Sequence, residues 1–358
     1  MSAGFHTLTI AEVIAETADA KSLRFAVPEE LRQIYSFKPG QHLTLKAEIA
    51  GEDVRRNYSL CVAPGDDQLK VTVKRIAGGA FSNWANDALR PGDAIEVMPP
   101  HGSFTWDFRA GANNHYVGFA GGSGITPILS LLKTALTVEP DSRFTLFYGN
   151  RDSQSVIFLE ELAQLKNRYM SRLQVYHFLA EEAEDIELFN GMLDRAKCDS
   201  ILGTMVMAQD IDAFFICGPG PMMDAAEAAL IEAGVAREKV LIERFTAGRP
   251  SAAVAAQMQE LQSRAQGLTM LVTLDGRKRR VAFDAQAGNI LDSARIAGLP
   301  APFACKAGVC ATCRARVVAG EVEMAARYGL SDEEVAAGYV LTCQSVPKGE
   351  GAELDYDA

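Results

Sequence analysis

The feature that most restricts this chain is a group of thiols in its last quarter. Cys305, Cys310 and Cys313 stand in the spacing C-x4-C-x2-C within Cys305-Lys306-Ala307-Gly308-Val309-Cys310-Ala311-Thr312-Cys313, and Cys343 follows much later in Leu341-Thr342-Cys343. Three thiols in one tight loop with a distant fourth are the ligand spacing of a plant-type [2Fe–2S] cluster. The small residues between the first two let the backbone wrap closely around inorganic sulfur, and Gly308 frees the bend. Structural zinc favours paired C-x2-C knuckles, which one uneven group with a lone partner does not supply. A disulfide framework suits short secreted chains, whereas Cys61, Cys198 and Cys217 are scattered singly among apolar neighbours in 358 residues. The four grouped thiols are read as metal ligands.

That length exceeds one ordinary core, so two or three domains are expected, and a composition 48% hydrophobic and 23% charged is that of a soluble globular protein. Met1 to Val13 lacks a basic start followed by a long apolar run, and no stretch approaches about 18 uninterrupted apolar residues. A cytoplasmic protein without membrane attachment is expected. A formal net charge of -11 disfavours nucleic acid, which needs a basic face, and Arg277-Lys278-Arg279-Arg280 is short enough to be a solvated hairpin. An acidic surface would instead steer encounter with a basic protein partner.

From Thr7 to Val73 the pattern is short alternating segments: Thr7–Ile10, Ser22–Val27, His42–Lys46 and Leu69–Val73. Pro39-Gly40, Pro64-Gly65 and Pro91-Gly92 punctuate the region, which predicts an antiparallel barrel or sandwich with one helix over Phe81–Leu89. In it lies Arg56-Asn57-Tyr58-Ser59. A guanidinium matches phosphate oxygens through its fork of donors, and an aromatic ring covers a flat cofactor at small entropic cost. Four residues alone also fit an ordinary strand. Val73-Lys74-Arg75 then leads to Gly78-Gly79-Ala80-Phe81-Ser82, where glycines before a helix present bare N–H groups and a hydroxyl to a phosphate, or simply cap a helix.

After Asn113 the rhythm changes to apolar runs separated by helical segments. Tyr116–Ala120, Phe144–Tyr148 and Asp212–Ile216 read as buried parallel strands, with helices over Pro127–Leu136, Val156–Tyr169 and Pro221–Ala233. A doubly wound sheet follows, binding its ligand at the carboxyl ends of the strands. The first strand runs into Gly121-Gly122-Ser123-Gly124-Ile125-Thr126-Pro127. This turn is not G-x-G-x-x-G, yet its glycines allow close backbone approach and Pro127 opens a helix whose start favours anions. A later strand ends in Cys217-Gly218-Pro219-Gly220-Pro221, where Cys217 is also readable as a small buried hydrophobe. Arg151, after Tyr148-Gly149-Asn150, suits a 2′-phosphate, or caps the next helix. No acidic residue precedes it at the strand end and Asp152 follows directly.

Taken in order, these motifs make the chain similar to the ferredoxin–NADP reductase family, with a plant-type ferredoxin domain appended. The resemblance covers nearly the whole chain. It implies that Arg56 pairs with the pyrophosphate of FAD, that Asn57 and Tyr58 line the ring, and that Ser59 hydrogen-bonds its edge. Val73, Lys74, Arg75, Gly79, Ala80, Phe81 and Ser82 would form the second flavin contact. It further implies that Gly121, Gly122, Ser123, Gly124 and Thr126 bind the nicotinamide dinucleotide, with Cys217, Gly218 and Pro219 where nicotinamide meets flavin. Ser59, Thr126 and Cys217 are the candidate catalytic residues, and Phe245, in Glu243-Arg244-Phe245, is a candidate cover for the ring. NADPH is expected in preference to NADH on the strength of Arg151.

The fold class expected is multidomain: an antiparallel flavin β-barrel over residues 1–110, an α/β doubly wound nicotinamide domain over 111–246, a linker over 247–267 and an α+β β-grasp ferredoxin domain over 268–358. The linker begins at Ala247-Gly248-Arg249-Pro250-Ser251 and is expected to cross solvent with a short helix over Ala253–Arg264. Electron counting orders the cofactors. NADPH gives two electrons as hydride, the cluster takes one, and flavin holds none, one or two, so FAD stands between them. Gly78–Asn86, Val97–Phe104 and Leu165–Tyr169 are runs similar to the reductase components of ring-epoxidising complexes in phenylacetate catabolism. They imply di-iron oxygenase subunits as partner. Another oxygenase or a hybrid iron–sulfur protein as acceptor, or a zinc-bound module without redox activity, are the competing readings.

Overall fold

The computed structural model describes residues 4–183, 185–245 and 252–358, so Ala247-Gly248-Arg249-Pro250-Ser251 lies outside the described residues. The described residues divide into two compact units, one formed by 5–54 and 58–243 and the other by residue 4, 55–57, 244–245 and 252–358, so that the strand Glu52–Ser59 is shared between them.

The first unit opens with β1 (His6–Thr17), β2 (Ala20–Ala26), β3 (His42–Ile49), β4 (Glu52–Ser59), β5 (Leu69–Lys74), helix α1 (Ala80–Ala88) and β6 (Ala94–Val97). The sheet runs β4-β3-β6-β1-β2-β5. An antiparallel bridge between Leu60, just past β4, and Val71 of β5 joins the two edges, so the sheet curls onto itself and leaves no long open rim. Leu8, Ile10, Leu23, Leu43, Leu45 and Val71 alternate inward along these strands and are at most 1% exposed. Phe81 of α1 plugs one end, burying an aromatic worth about 1.5–3 kcal/mol.

The sheet that follows is wholly parallel, in the order β11-β10-β7-β8-β9. Its elements are β7 (His115–Gly121), α2 (Ile125–Val138), β8 (Arg143–Asn150), α3 (Leu159–Arg168), β9 (Leu173–Leu179), α4 (Arg195–Thr204), β10 (Ala213–Cys217), α5 (Gly220–Glu232) and β11 (Val240–Glu243). Helices on both faces explain why β7 and β10 are near-continuous apolar runs rather than alternating ones. Helix α2 starts two residues before the expected Pro127 and α3 three residues after the expected Val156, behind Phe158 at φ 64°. In α5 a proline in the first turn has no N–H to leave unpaired, and α3 carries Glu160 and Glu161 in its first turn and Lys166 and Arg168 in its last, matching the macrodipole.

Beneath α2 the carboxylate of Glu139, 1% exposed, accepts from the Tyr116 hydroxyl (2.9 Å), the Ser142 hydroxyl (2.7 Å) and the Arg109 amide (2.9 Å). Truncation takes this acceptor from the buried Tyr116 hydroxyl and from the Arg109 amide and leaves Ser142 only the Ala112 carbonyl at 3.2 Å, so Glu139→Ala is expected to cost about 2–3 kcal/mol. A thermal midpoint of this unit unchanged in Glu139→Ala would contradict the account.

The second unit contains α6 (Ala252–Ala265), β12 (Thr269–Leu274), β13 (Arg277–Ala282), α7 (Ile290–Ile296), β14 (Arg314–Ala319), β15 (Val322–Met324), α8 (Asp332–Ala336), β16 (Tyr339–Leu341), β17 (Ser345–Pro347) and β18 (Ala352–Asp355). The main sheet is β13-β12-β18-β14-β16, with β18 parallel to β12 and antiparallel to β14. The stretch expected to cross solvent behaves otherwise from Ala252 onward. Helix α6 sets Met258, Leu261 and Ala265 against this unit's core, and Gln262 Nε2 donates to the Gly288 carbonyl at 2.8 Å. Those apolar positions recur at helical spacing and need a surface to cover them. Among the described residues no helix is long and apolar enough to cross a membrane.

Candidate functional site

The cluster loop lies between α7 and β14, and Cys343 lies just past β16. β14 and β16 pair antiparallel, with Arg314 opposite Leu341, which brings Cys313 and Cys343 together although 30 positions separate them. Thr342 fastens the junction: its amide and its hydroxyl both donate to the Cys313 carbonyl, at 3.2 and 2.9 Å. The thiols then meet in two pairs, Cys305 with Cys310 and Cys313 with Cys343. In each pair one sulfur is held toward thiolate by the other's S–H: Cys310 falls to about 5 and Cys343 is also lowered.

Two sulfurs on one side and two on the other is the donor set of a two-iron centre. Among the described residues no three His, Cys, Asp or Glu side chains converge as they would on a single ion. Backbone N–H groups complete the cradle, Ala307 N donating to Cys305 Sγ at 3.3 Å and Gly308 N to Cys343. The residues present fit a [2Fe–2S] cluster.

The loop is wound tightly. Lys306 and Ala311 take left-handed φ of 51° and 52°, strain that non-glycine residues carry only where surroundings enforce it. At Gly308, φ 74°, an added Cβ would meet Gln344 Cγ at 2.8 Å, and at Gly329 one would meet the Val309 carbonyl oxygen at 2.8 Å and the Ala311 nitrogen at 3.0 Å. Gly329 and Gln344, whose amide donates to the Lys306 carbonyl at 3.2 Å, support the loop from downstream segments, and sequence reasoning missed both. Only the folded chain, which brings these two segments back against the loop, reveals them. We expect Gly329→Ala to weaken cluster retention by about 10-fold or more, read as loss of visible absorbance during dialysis; full retention would show that the close approach is dispensable.

In the first unit the two glycine turns meet at the carboxyl ends of β7 and β10. A Cβ on Gly124 would lie 2.1 Å from the Cys217 carbonyl oxygen, one on Gly121 would lie 2.5 Å from Pro219 Cδ, and one on Gly218 would lie 2.9 Å from the Gly121 nitrogen. These glycines are needed for the turns to touch each other. Gly122 differs: it has φ 50°, and its open side faces the Lys74 ammonium, 3.7 Å from where a Cβ would stand. Lys74, which the sequence groups with the flavin contact, thus stands beside this turn, and its ammonium also lies 3.8 Å from Asp19 Oδ2. Thr126 is buried and its hydroxyl donates to the Ser123 carbonyl at 3.0 Å, locking the turn.

Cys217 is fully buried, and burial first, then the charge of Glu243, pushes its thiol well above the ordinary range. It is a wall and not a nucleophile. Parallel pairing sets Glu243 opposite Cys217, and His42 Nδ1 lies 3.7 Å from Glu243 Oε1. Burial, then neighbouring His101, keeps His42 neutral. Neither His42 nor Glu243 was singled out as a site residue, because β3 and β11 become neighbours only in the fold.

On β4, Arg56 is exposed and donates to the Arg55 carbonyl at 2.7 Å, Asn57 and Tyr58 are half-buried, and Ser59 is 2% exposed. Tyr58 packs tilted on Phe81, with 5.5 Å between ring centroids. Among the described residues the Ser59 hydroxyl has no hydrogen-bond partner, a cost natural proteins rarely bear unless a ligand relieves it. That orphan, and α1 opening on Gly79 with no side-chain cap, fit a flavin dinucleotide. Val73 is buried in β5 and exposed Ala80 opens α1. Arg75 pairs with Asp87, at 3.0 Å through Nη1, and the Ser82 hydroxyl accepts from the Ile76 amide at 3.1 Å. Arg151 is more than half exposed beside Asp152, and Phe245, 38% exposed, follows β11.

Three family descriptions match the chain: "Oxidoreductase FAD-binding domain" over residues 7–106, "Oxidoreductase NAD-binding domain" over 119–228 and "2Fe-2S iron-sulfur cluster binding domain" over 272–348. The chain belongs to the ferredoxin–NADP reductase family of modular flavin and iron–sulfur oxidoreductases, within the group that serves as reductase components of oxygenases. It is 44% identical over 354 residues to a subunit of the 1,2-phenylacetyl-CoA epoxidase of Escherichia coli (strain K12), covering 99% of this chain and 98% of that protein. It is 37% identical to the ferredoxin reductase component of 3-ketosteroid-9-alpha-monooxygenase from Rhodococcus rhodochrous, covering 98% and 96%. The fold is that of phthalate dioxygenase reductase, with a TM-score of 0.59, 24% identity and 98% of both chains covered. The protein is thus an electron-transfer oxidoreductase using NAD(P)H, FAD and a [2Fe–2S] cluster and delivering electrons to an oxygenase.

Proposed function

We propose that this chain is the reductase of a cytoplasmic complex whose di-iron oxygenase subunits epoxidise the ring of phenylacetyl-CoA. The observation that carries this reading is the 44% identity along essentially the whole chain to a component of such an epoxidase, joined to the paired thiols of the second unit. Bound FAD supplies the conversion between two-electron and one-electron transfer.

The chain's own residues do the rest. Arg56 offers a guanidinium to the FAD pyrophosphate, Tyr58 presents its ring to the isoalloxazine, and the unpartnered Ser59 hydroxyl donates to the ring edge. Gly122 and Lys74 receive the nucleotide pyrophosphate, the glycine by leaving its backbone bare and the lysine by charge. Thr126 holds the turn, while Cys217 and Glu243 close the floor against water where nicotinamide meets flavin; Phe245 covers the ring. No general acid or base is required.

Ser59→Ala removes one hydrogen bond to the flavin and is expected to slow its reduction about 10-fold, the weight of roughly 1.4 kcal/mol, with the cluster's spectrum unchanged. An unaltered rate would remove Ser59 from the site. The reading as a whole is tested by reconstituting phenylacetyl-CoA oxidation from purified oxygenase subunits and this chain. Failure there, with turnover restored on a steroid monooxygenase, would transfer the chain to the second group of relatives.

A further inference from the structure

We propose that Tyr356 is a positioning residue of the cluster site, acting through the Thr342 hydroxyl on the Cys313–Cys343 pair and making the bound cluster easier to reduce. This role depends on the cluster site alone and is the same whichever oxygenase receives the electrons.

Tyr356 follows β18 and is fixed from both sides. Its amide donates to the Thr273 carbonyl at 3.0 Å, one step beyond the parallel pairing of Asp355 with Thr273. The Asp357 carboxylate then accepts from the Asp275 amide at 2.9 Å and the Gly276 amide at 2.7 Å, which clips the chain to the β12–β13 turn. Between these anchors the Tyr356 ring packs against the core of this unit, and its hydroxyl donates to Thr342 Oγ1 at 2.8 Å.

The direction of each bond is settled by counting protons. A carbonyl oxygen only accepts, so the single hydroxyl proton of fully buried Thr342 goes to the Cys313 carbonyl, 2.9 Å away. Toward Tyr356 the Thr342 oxygen can then only accept. Burial chiefly, with the charges of Cys313 and Cys343, pushes the Tyr356 phenol well above its ordinary range against the pull of the bond to Thr342, so it remains a donor. Two hydroxyl dipoles in series, Tyr356 to Thr342 to Cys313, thus turn their positive ends toward the ligand pair, and each polarises the next.

A phenylalanine would fill the core equally well; what the tyrosine adds is the donor. Reduction puts one more negative charge on the cluster, and donors aimed at its surroundings favour that state. Partners behind the ligands are where such tuning is carried.

The test is a potentiometric titration of the flavin- and cluster-loaded full chain, followed by paramagnetic resonance, which requires no turnover. Tyr356→Phe is expected to lower the equilibrium constant for one-electron reduction of the cluster about 3-fold, or about 30 mV toward more negative potential. Thr342→Val should shift it at least as far, Thr342→Ser should restore it, and Tyr356→Phe should add nothing in the Thr342→Val background. A native potential in Tyr356→Phe, or a shift undiminished by Thr342→Val, would overturn the proposal. If Tyr356→Phe cannot be loaded with iron, Thr342→Val against Thr342→Ser carries the test, and equal potentials in that pair overturn it. Failure of the cluster assignment would show separately, as missing iron–sulfur absorbance in the native chain.

Discussion

Replacing Cys343 by alanine is expected to leave a protein that still takes electrons from the nicotinamide but no longer passes them on. The substitution removes one of the paired sulfurs, and with it the hydrogen bond between Cys313 and Cys343 that lowers the latter. Losing a supporting partner of a metal ligand commonly costs 10- to 100-fold in metal affinity, so losing the ligand itself should cost at least about 100-fold. Flavin reduction, housed in the other unit, should proceed near its native rate, while transfer to a one-electron acceptor through iron falls by about 100-fold or more. Paramagnetic resonance on reduction reads the outcome directly. A native rhombic signal in Cys343→Ala would mean that another group completes the centre and that the fourth ligand is misassigned.

The second large effect is expected from a single methyl group at Gly124. Its added carbon would stand 2.1 Å from the Cys217 carbonyl oxygen and 2.4 Å from the carbonyl carbon, with the Gly218 nitrogen at 2.7 Å. All three are backbone atoms, so no rotamer relieves the clash and the two turns must part by about 1 Å. Overpacking of this kind costs about 1–3 kcal/mol, and a misplacement near 1 Å is enough to lower a rate about 100-fold. Gly124→Ala should therefore slow flavin reduction by NAD(P)H about 100-fold, whereas dithionite still reduces the cluster. If nicotinamide-driven reduction were native in this variant, the contact between the turns would not be what positions the nucleotide.

The parts of this molecule that could be read before folding share a property: their determinants lie close together in the chain. Cys305, Cys310 and Cys313 announce themselves because ligation sets their spacing, and the strand–helix rhythm after Asn113 needs only local periodicity. Glu243 and His42 went unselected because their meeting beside Cys217 depends on β11 lying next to β10 and on β3 reaching the same floor. Arg151 was legible as a cation, but its neutralisation comes partly from Glu181 at the end of another strand. Lys74 was grouped by its neighbours in sequence with the flavin contact, and only the fold shows its ammonium beside Gly122 as well. Helix α6 was expected over Ala253–Arg264, and what went unread is its docking. Met258, Leu261 and Ala265 recur at i, i+3 and i+7, a visible apolar stripe, but the alanine- and glutamine-rich composition drew attention to a solvated linker.

The sheet order of the second unit bears on how the protein is made. β18, whose Ala352 and Leu354 are fully buried, fills the middle of the sheet between β12 and β14. Until Ala352–Asp355 has been synthesised, the β12–β13 hairpin and the β14–β16 pair remain two separate pieces with raw inner edges, and joining them requires contacts across some 80 residues. A nascent chain stalled short of this strand would expose both pieces' edge backbone to other chains.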